Sequence, residues 1–213
     1  MPRTTARPYG QLTRDAIVDA AVAHLVDAGV ESMTIRKLAG ELGVSPMALY
    51  RHVDNKDDLL LDVTDRLLAD AGLPSRSVGW RRCLLELAGS LQQLLHDHPD
   101  LVTVFNRGPV TTPAAVARME RAVEVLVRDG FSTDAAVESY GSVHIYTVGY
   151  SAIAAARRSS DASPDPDELD GPASLIARFV TPRQYRIGLE DLLAGIEARR
   201  APRGRPAARR AST

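Results

Sequence analysis

The chain has almost none of the chemistry that cross-links, anchors or catalyses. It contains one cysteine, Cys83, among 213 residues, so no intramolecular disulfide can form and the thiol reads as a core residue. There is no run of about 18 apolar residues, and the N-terminal residues are polar and proline-containing. Neither a membrane span nor a signal segment is present, which predicts a soluble, cytoplasmic protein. No nucleophile pairs with a base in a recognisable pattern, and paired carboxylates and a phosphate-cradling glycine loop are missing, so an enzyme has no signature here and no catalytic residue or cofactor is expected. His96 and His98 in the run HDHPD lack a third ligand at suitable spacing, and no metal site is expected either. Alternating strand patterns, hairpin turns and internal repeats are absent. The chain reads as all-α.

What remains is a chain with 45% hydrophobic residues, enough for one or two domains that bury about 70% of their unfolded surface. Its net charge of -1 favours no class of partner, because the placement of the cations matters more than their sum. They gather at the ends. Arg3, Arg7 and Arg14 occur at the N-terminus without an acid, and Arg199, Arg200, Arg203, Arg205, Arg209 and Arg210 occur at the C-terminus, again without one. Residues 1–12 read as a flexible basic arm and residues 201–213 as a disordered basic tail. Contact with DNA is open for both.

Between these ends, helix signals are dense. From the N-cap Thr13, residues Ile17, Ala20, Ala21, His24, Leu25 and Ala28 form one apolar stripe that Gly29 stops, with His24 read as a packing residue. Thr34 caps a second helix carrying Ile35, Leu38, Ala39 and Leu42, and Gly43-Val44 turns the chain. Ser45 and Pro46 then start a third helix, expected to continue through Leu49, Tyr50, His52 and Val53. Asn55 caps a fourth, running to about Ala71 with Asp57 and Asp58 in its first turn. Helix, short glycine turn and helix make a helix-turn-helix, whose second helix can enter a major groove with its N-terminal residues. Arg36, Lys37, Tyr50, Arg51, His52 and Lys56 supply donors and cations on the outward positions. A plain helical hairpin with a solvated face and a protein-binding module have the same spacing.

The run Leu12 to Leu60, LTRDAIVDAAVAHLVDAGVESMTIRKLAGELGVSPMALYRHVDNKDDLL, resembles the DNA-binding domain of TetR-type transcriptional repressors over almost its whole length. The most specific part is Leu49-Tyr50-x-His52-Val53-x-Asn55-Lys56 after Gly43-Val44. The resemblance implies that Arg36, Pro46 and Met47 lie nearest the bases. By the same likeness Thr34, Tyr50, His52 and Lys56 meet phosphates or the groove wall, and Ser45 and Arg51 complete the DNA-binding set.

Gly72-Leu73-Pro74-Ser75 marks the boundary between residues 13–71 and a second domain, 75–200. Helices are expected there at Trp80 to about His96, near Leu101 to Phe105, and over Thr112 to Asp129, Thr133 to Arg158 and Pro182 to Arg200, with an acidic, flexible loop over 159–171. Small residues Gly141, Gly149, Ala152, Ala155 and Ala156, and apolar residues from Ile187 to Ile196, suit either a two-fold four-helix interface or an intrachain core. SYGSVHIYTVGYSA and QYRIGLEDLLAGIEA resemble the C-terminal dimerisation and ligand-binding domain of the tetracycline repressor subfamily, which implies a homodimer with a pocket for a small-molecule effector. Trp80, Leu87, Leu91, Phe105, Met119, Tyr140 and His144 are its candidate lining, and each also suits plain core. One departure stands out. Leu101 to Asn106 holds no histidine where the subfamily places a metal ligand, so binding of magnesium-tetracycline does not carry over.

Overall fold

A computed structural model describes residues 12–108, 110–159, 171 and 179–200; the expected arm up to residue 11, most of the acidic loop and the tail lie outside them. All regular structure among the described residues is helical. The elements are α1 (Arg14–Ser32), α2 (Ile35–Leu42), α3 (Pro46–Leu49), α4 (Lys56–Asp70), α5 (Trp80–Asp97), a 3₁₀ turn (Pro99–Leu101), α6 (Val102–Asn106), α7 (Pro113–Arg128), α8 (Thr133–Ser159) and α9 (Pro182–Glu197).

Caps and glycines set the first boundaries. Thr13, Thr34 and Asn55 each accept a bond from a backbone N–H three residues on, at 3.1, 3.2 and 2.9 Å, which satisfies one orphan donor per helix. Gly29 (φ +75°) kinks the end of α1, and Gly43 (φ +68°) ends α2 in the left-handed region that a side chain would strain. The third helix is shorter than its sequence predicts. It stops at Leu49, and residues 50–52 form a tight turn in which the His52 N–H reaches the Leu49 carbonyl at 2.8 Å. Arg14 holds that turn from outside by donating to the His52 carbonyl at 2.6 Å.

Two apolar clusters form the interior, and their border does not follow the break in the helices. One joins Ile17, Leu38, Leu49 and Val63 of α1–α4 to Leu95 of α5 and Leu101, Val102 and Val104 beyond it. The other joins Trp80 and Leu84 of α5 to Leu126 of α7, Val143 of α8 and Leu193 of α9. The N-terminal helices thus share a core with the far end of α5, so the segment around Gly72 interrupts helix but not packing. The α8–α9 contact is close. A Cβ on Gly188 would overlap the Tyr146 hydroxyl, which donates to the Tyr185 carbonyl at 3.1 Å while the two tyrosine rings stack 5.5 Å apart.

Candidate nucleic-acid interface and internal cavity

Amphipathic α2 buries Ile35, Leu38 and Ala39 and leaves Arg36 and Lys37 exposed. Across the Gly43 turn, the Ser45 hydroxyl accepts from the Ala48 N–H at 3.3 Å and Pro46 fills the first helical position of α3. Leu49 is fully buried and Val53 nearly so, and these anchors present Met47 (71% exposed), Tyr50 (49%) and Arg51 to solvent. No carboxylate lies within ion-pair distance of Arg36, Lys37 or Arg51 among the described residues. Three unpaired cations and two exposed apolar tips therefore share one surface.

Two further cations also take part in the frame. Arg14 is neutralised by Asp58 at 2.9 Å and Asp62 at 2.6 Å, so it ties α1 to α4 and adds nothing to the basic arm. Lys56 donates through Nζ to the Val30 carbonyl at 2.8 Å, which closes the end of α1 against the start of α4. His52 is half-buried, with its carbonyl held by Arg14. Thr34 and Ser45 use their hydroxyl oxygens as caps and stay exposed, so their protons can still face a partner. His24, read from sequence as packing, is buried and also bridges Glu41 at 2.7 Å and Ser32 at 2.9 Å.

A second candidate site lies inside the body. Leu87, Ala88 and Leu91 of α5, Arg118 of α7, and Tyr140, Val143, His144 and Thr147 of α8 enclose a cavity of about 10 Å³, room for about one water. Four of the expected lining residues, Leu87, Leu91, Tyr140 and His144, meet there. Phe105 stands one layer out, its ring 5.8 Å from that of His144. Met119 does not take part: helical phase turns it outward, 37% exposed, and gives the inward position to its neighbour Arg118. Trp80 packs edge-on against Phe131 in the core, 5.3 Å away. A wider open groove of about 450 Å³ between α5, α8 and the start of α9 is lined by none of the expected residues.

Sequence reasoning missed Arg118, a cation inside an apolar helix face, whose only local signal was its charge on the buried stripe between Ala115 and Ala122. It donates to the Leu87 carbonyl at 2.7 Å, the Ser90 hydroxyl at 2.8 Å and the Gly72 carbonyl at 3.4 Å. Burial lowers the pKa of its guanidinium and, with help from that nearby charge, lowers that of His144; burial also raises the Tyr140 phenol. The same force pushes the Cys83 thiol up to about 11, which keeps it protonated as a core residue.

The cavity and the exposed surface are joined by α4. Asp57 at its start pairs with Arg107 at 2.5 Å, Asp65 in its middle accepts from the Ala114 N–H at 2.7 Å, and Gly72 just past its end accepts from Arg118. Further along α7, Arg121 donates to the Pro74 carbonyl, and Arg128 donates to the Arg76 carbonyl and, at 2.5 Å, to that of Val78. One helix of the body thus holds the end of α4 and the segment after it by their backbone oxygens.

Residues 17–63 match the family model described as bacterial regulatory proteins, tetR family, and residues 73–179 match that of the tetracyclin repressor-like C-terminal domain. The chain belongs to the TetR family. An HTH-type transcriptional regulator from Saccharopolyspora erythraea is 33% identical over 70% of this chain, and the HTH-type transcriptional repressor DrrR1 of Streptomyces coeruleorubidus is 32% identical over 69%. The matches span 63% and 55% of those two relatives' lengths. Tetracycline repressor protein class D from Escherichia coli is 28% identical over 88% of this chain and 90% of its own. Among solved TetR-family structures, Streptomyces coelicolor ActR in complex with (S)-DNPA superposes with a TM-score of 0.75 at 26% identity, over 90% of this chain and 100% of ActR. BioQ with its double-stranded DNA operator superposes with a TM-score of 0.65 at 26% identity, over 88% and 99%. The expected family and all-α fold are therefore found.

Proposed function

We propose that this TetR-family chain is a cytoplasmic, sequence-specific transcriptional regulator, a homodimeric repressor that binds a palindromic operator and is released by a small-molecule effector. The observation that carries the reading is the surface of α2 and α3, where Arg36, Lys37 and Arg51 stand without carboxylate partners among the described residues, beside Met47 and Tyr50. Cations left unneutralised on a helix-turn-helix suit phosphates and base edges, and BioQ, a relative in fold, was solved on its operator. In this reading Arg36, Pro46 and Met47 approach bases, while Thr34, Ser45, Tyr50 and Arg51 face the backbone. Lys56 acts from behind, its ammonium on the Val30 carbonyl, while His52, whose backbone carbonyl Arg14 holds, keeps its ring for the groove wall.

Dimerisation has its own support. Ile145, Gly149, Ile153 and Ala156 of α8 are exposed at spacings of four, four and three, and Ile187 of α9 is 40% exposed. An exposed stripe of apolar and small residues of this kind on two packed helices suits a copy of itself. A two-fold dimer would set two copies of α3 into successive major grooves.

The effector acts by preferring the dimer in which those helices are misplaced. A coupling of about 1 to 3 kcal/mol changes operator affinity about 5- to 150-fold, and reciprocity requires DNA to weaken effector binding equally. The cavity of about 10 Å³ is far below the roughly 300 Å³ of ordinary ligand sites, so this conformation is closed and an effector must open it. Opening moves Arg118, and with it the grip on α4. A regulator that activates transcription would use the same parts, and no enzymatic step is assigned to the chain.

Genome fragments captured by the purified protein at physiological salt, with and without residues 201–213, test the reading. Enrichment of one palindrome by both forms is expected. Indiscriminate capture by the full chain and none by the shortened one would reassign DNA binding to the tail.

A further inference from the structure

Arg118 is a buried cation with no anion beside it. It is 3% exposed, and no carboxylate lies within ion-pair distance of it among the described residues. Its three acceptors, the Leu87 carbonyl, the Ser90 hydroxyl and the Gly72 carbonyl, are all neutral. Guanidinium keeps its proton in proteins, so this charge stays inside the body at a desolvation cost that neutral oxygens offset only in part. Among the described residues the surroundings supply no second charge. Burial and Arg118 itself hold His144 toward its neutral form, Tyr140 keeps its proton, and the Thr147 hydroxyl is engaged with the Val143 carbonyl at 2.8 Å.

We infer that the effector is an amphipathic organic anion whose acidic group pairs with Arg118 while its apolar body displaces Leu87, Leu91 and Val143. The inference rests on the reading of this cavity as the effector site. A cation would be repelled, and a neutral ligand would leave the guanidinium uncompensated as the cavity widened. The acidic group has a specific competitor. Of the three acceptors, Gly72 is the farthest, at 3.4 Å, and lies just beyond α4, so an anion that draws Arg118 inward releases the end of the helix that carries the DNA-reading surface.

Two fluorescent probes test the charge directly: 1-anilinonaphthalene-8-sulfonate and N-phenyl-1-naphthylamine share one apolar ring body and differ by the sulfonate. Each is titrated into the full-length protein, Arg118→Met and Ala88→Leu, with far-UV dichroism and melting checked for every form. The sulfonate is expected to bind the unaltered protein about tenfold or more tightly than its neutral partner, the size of one charge-assisted contact in a dry site. Arg118→Met should bring the two affinities together, and Ala88→Leu, which narrows the cavity, should weaken both. Arg118→Gln, which keeps a donor and loses the charge, replaces Arg118→Met if that form does not fold. Equal affinities in the unaltered protein, a preference that survives loss of the charge, or sulfonate binding untouched by Ala88→Leu would each overturn the inference. Operator capture is scored separately. An enriched palindrome with no probe preference removes the anion and leaves the regulator, whereas a clear preference with no enriched fragment does the reverse.

Discussion

In the N-terminal helices, Arg36 and Arg51 stand in solvent with no carboxylate against them among the described residues, whereas in α7 the guanidinium groups of Arg118, Arg121 and Arg128 donate to backbone carbonyls of residues 72–78 and 87, the latter two also pairing with Glu124 and Asp129. One side chain type thus serves opposite purposes. An exposed, unpaired arginine contributes little to folding and keeps its charge available for a phosphate or a guanine edge. An arginine turned inward satisfies oxygens that no helix can satisfy, because the segment after α4 has left its helical ladder. The difference shows where binding free energy and folding free energy reside, and Arg118 touches both the cavity and the segment just past α4.

The contrast can be broken most forcefully on α2, where the two roles lie two residues apart. Leu38 is fully buried, and Leu38→Ala should destabilise the fold by about 2 to 5 kcal/mol, seen as a lower melting temperature. Arg36→Ala should leave melting within about 0.5 kcal/mol of the unaltered protein. It should instead weaken operator binding by about 1 to 3 kcal/mol and relax sequence preference. Unchanged affinity and preference would remove Arg36 from the interface.

Arg51 and Lys56 sharpen the comparison further, because sequence alone gives them one role. Arg51→Ala should lower the slope of log affinity against log salt by about one unit while melting stays the same. With its ammonium on the Val30 carbonyl, Lys56→Ala should instead cost about 1 kcal/mol of stability and leave that slope nearly intact. A full unit lost from the Lys56→Ala slope would return it to the phosphates.

The smallest effect is a dependence on pH. Burial first, and Arg118 second, lower the folded pKa of His144 below its ordinary 6.5, so the unfolded chain takes up the proton before the folded one does. The protonation difference therefore favours folding less as pH drops below about 6.5. Melting should fall more between about pH 7.5 and about pH 5.5 in the unaltered protein than in His144→Gln. Parallel curves would show that this ring titrates alike in both states.

Much of the frame was legible because capping and helical periodicity are local. Thr13, Thr34, Ser45 and Asn55 each cap the helix their type announces, and the expected spans of α5, α7 and α8 agree with the observed ones within about two residues. The third helix was overdrawn because nothing local reveals that Arg14 would seize the His52 carbonyl from the start of α1. The inward bond of Lys56 and the outward turn of Met119 were hidden for the same kind of reason. A lysine at a helix start looks like any solvated cation until the Val30 carbonyl is placed beside it, and the choice between Met119 and Arg118 depends on about 100° of helical phase.

By itself, then, the sequence determined most of the helices and the glycine turn between α2 and α3, since each follows from neighbours within one or two helical turns. Only the tertiary structure decided which cations remain free. It turned Arg14 and Lys56 into ties, buried Arg118 without a counter-ion among the described residues, and strapped α4 to α6 and α7 through Asp57, Asp65 and Gly72. Partners such as Arg14 and Asp62, or Arg118 and Gly72, lie 46 to 48 positions apart along the chain. No periodicity encodes a contact of that range; packing alone brings those groups within a hydrogen bond of one another.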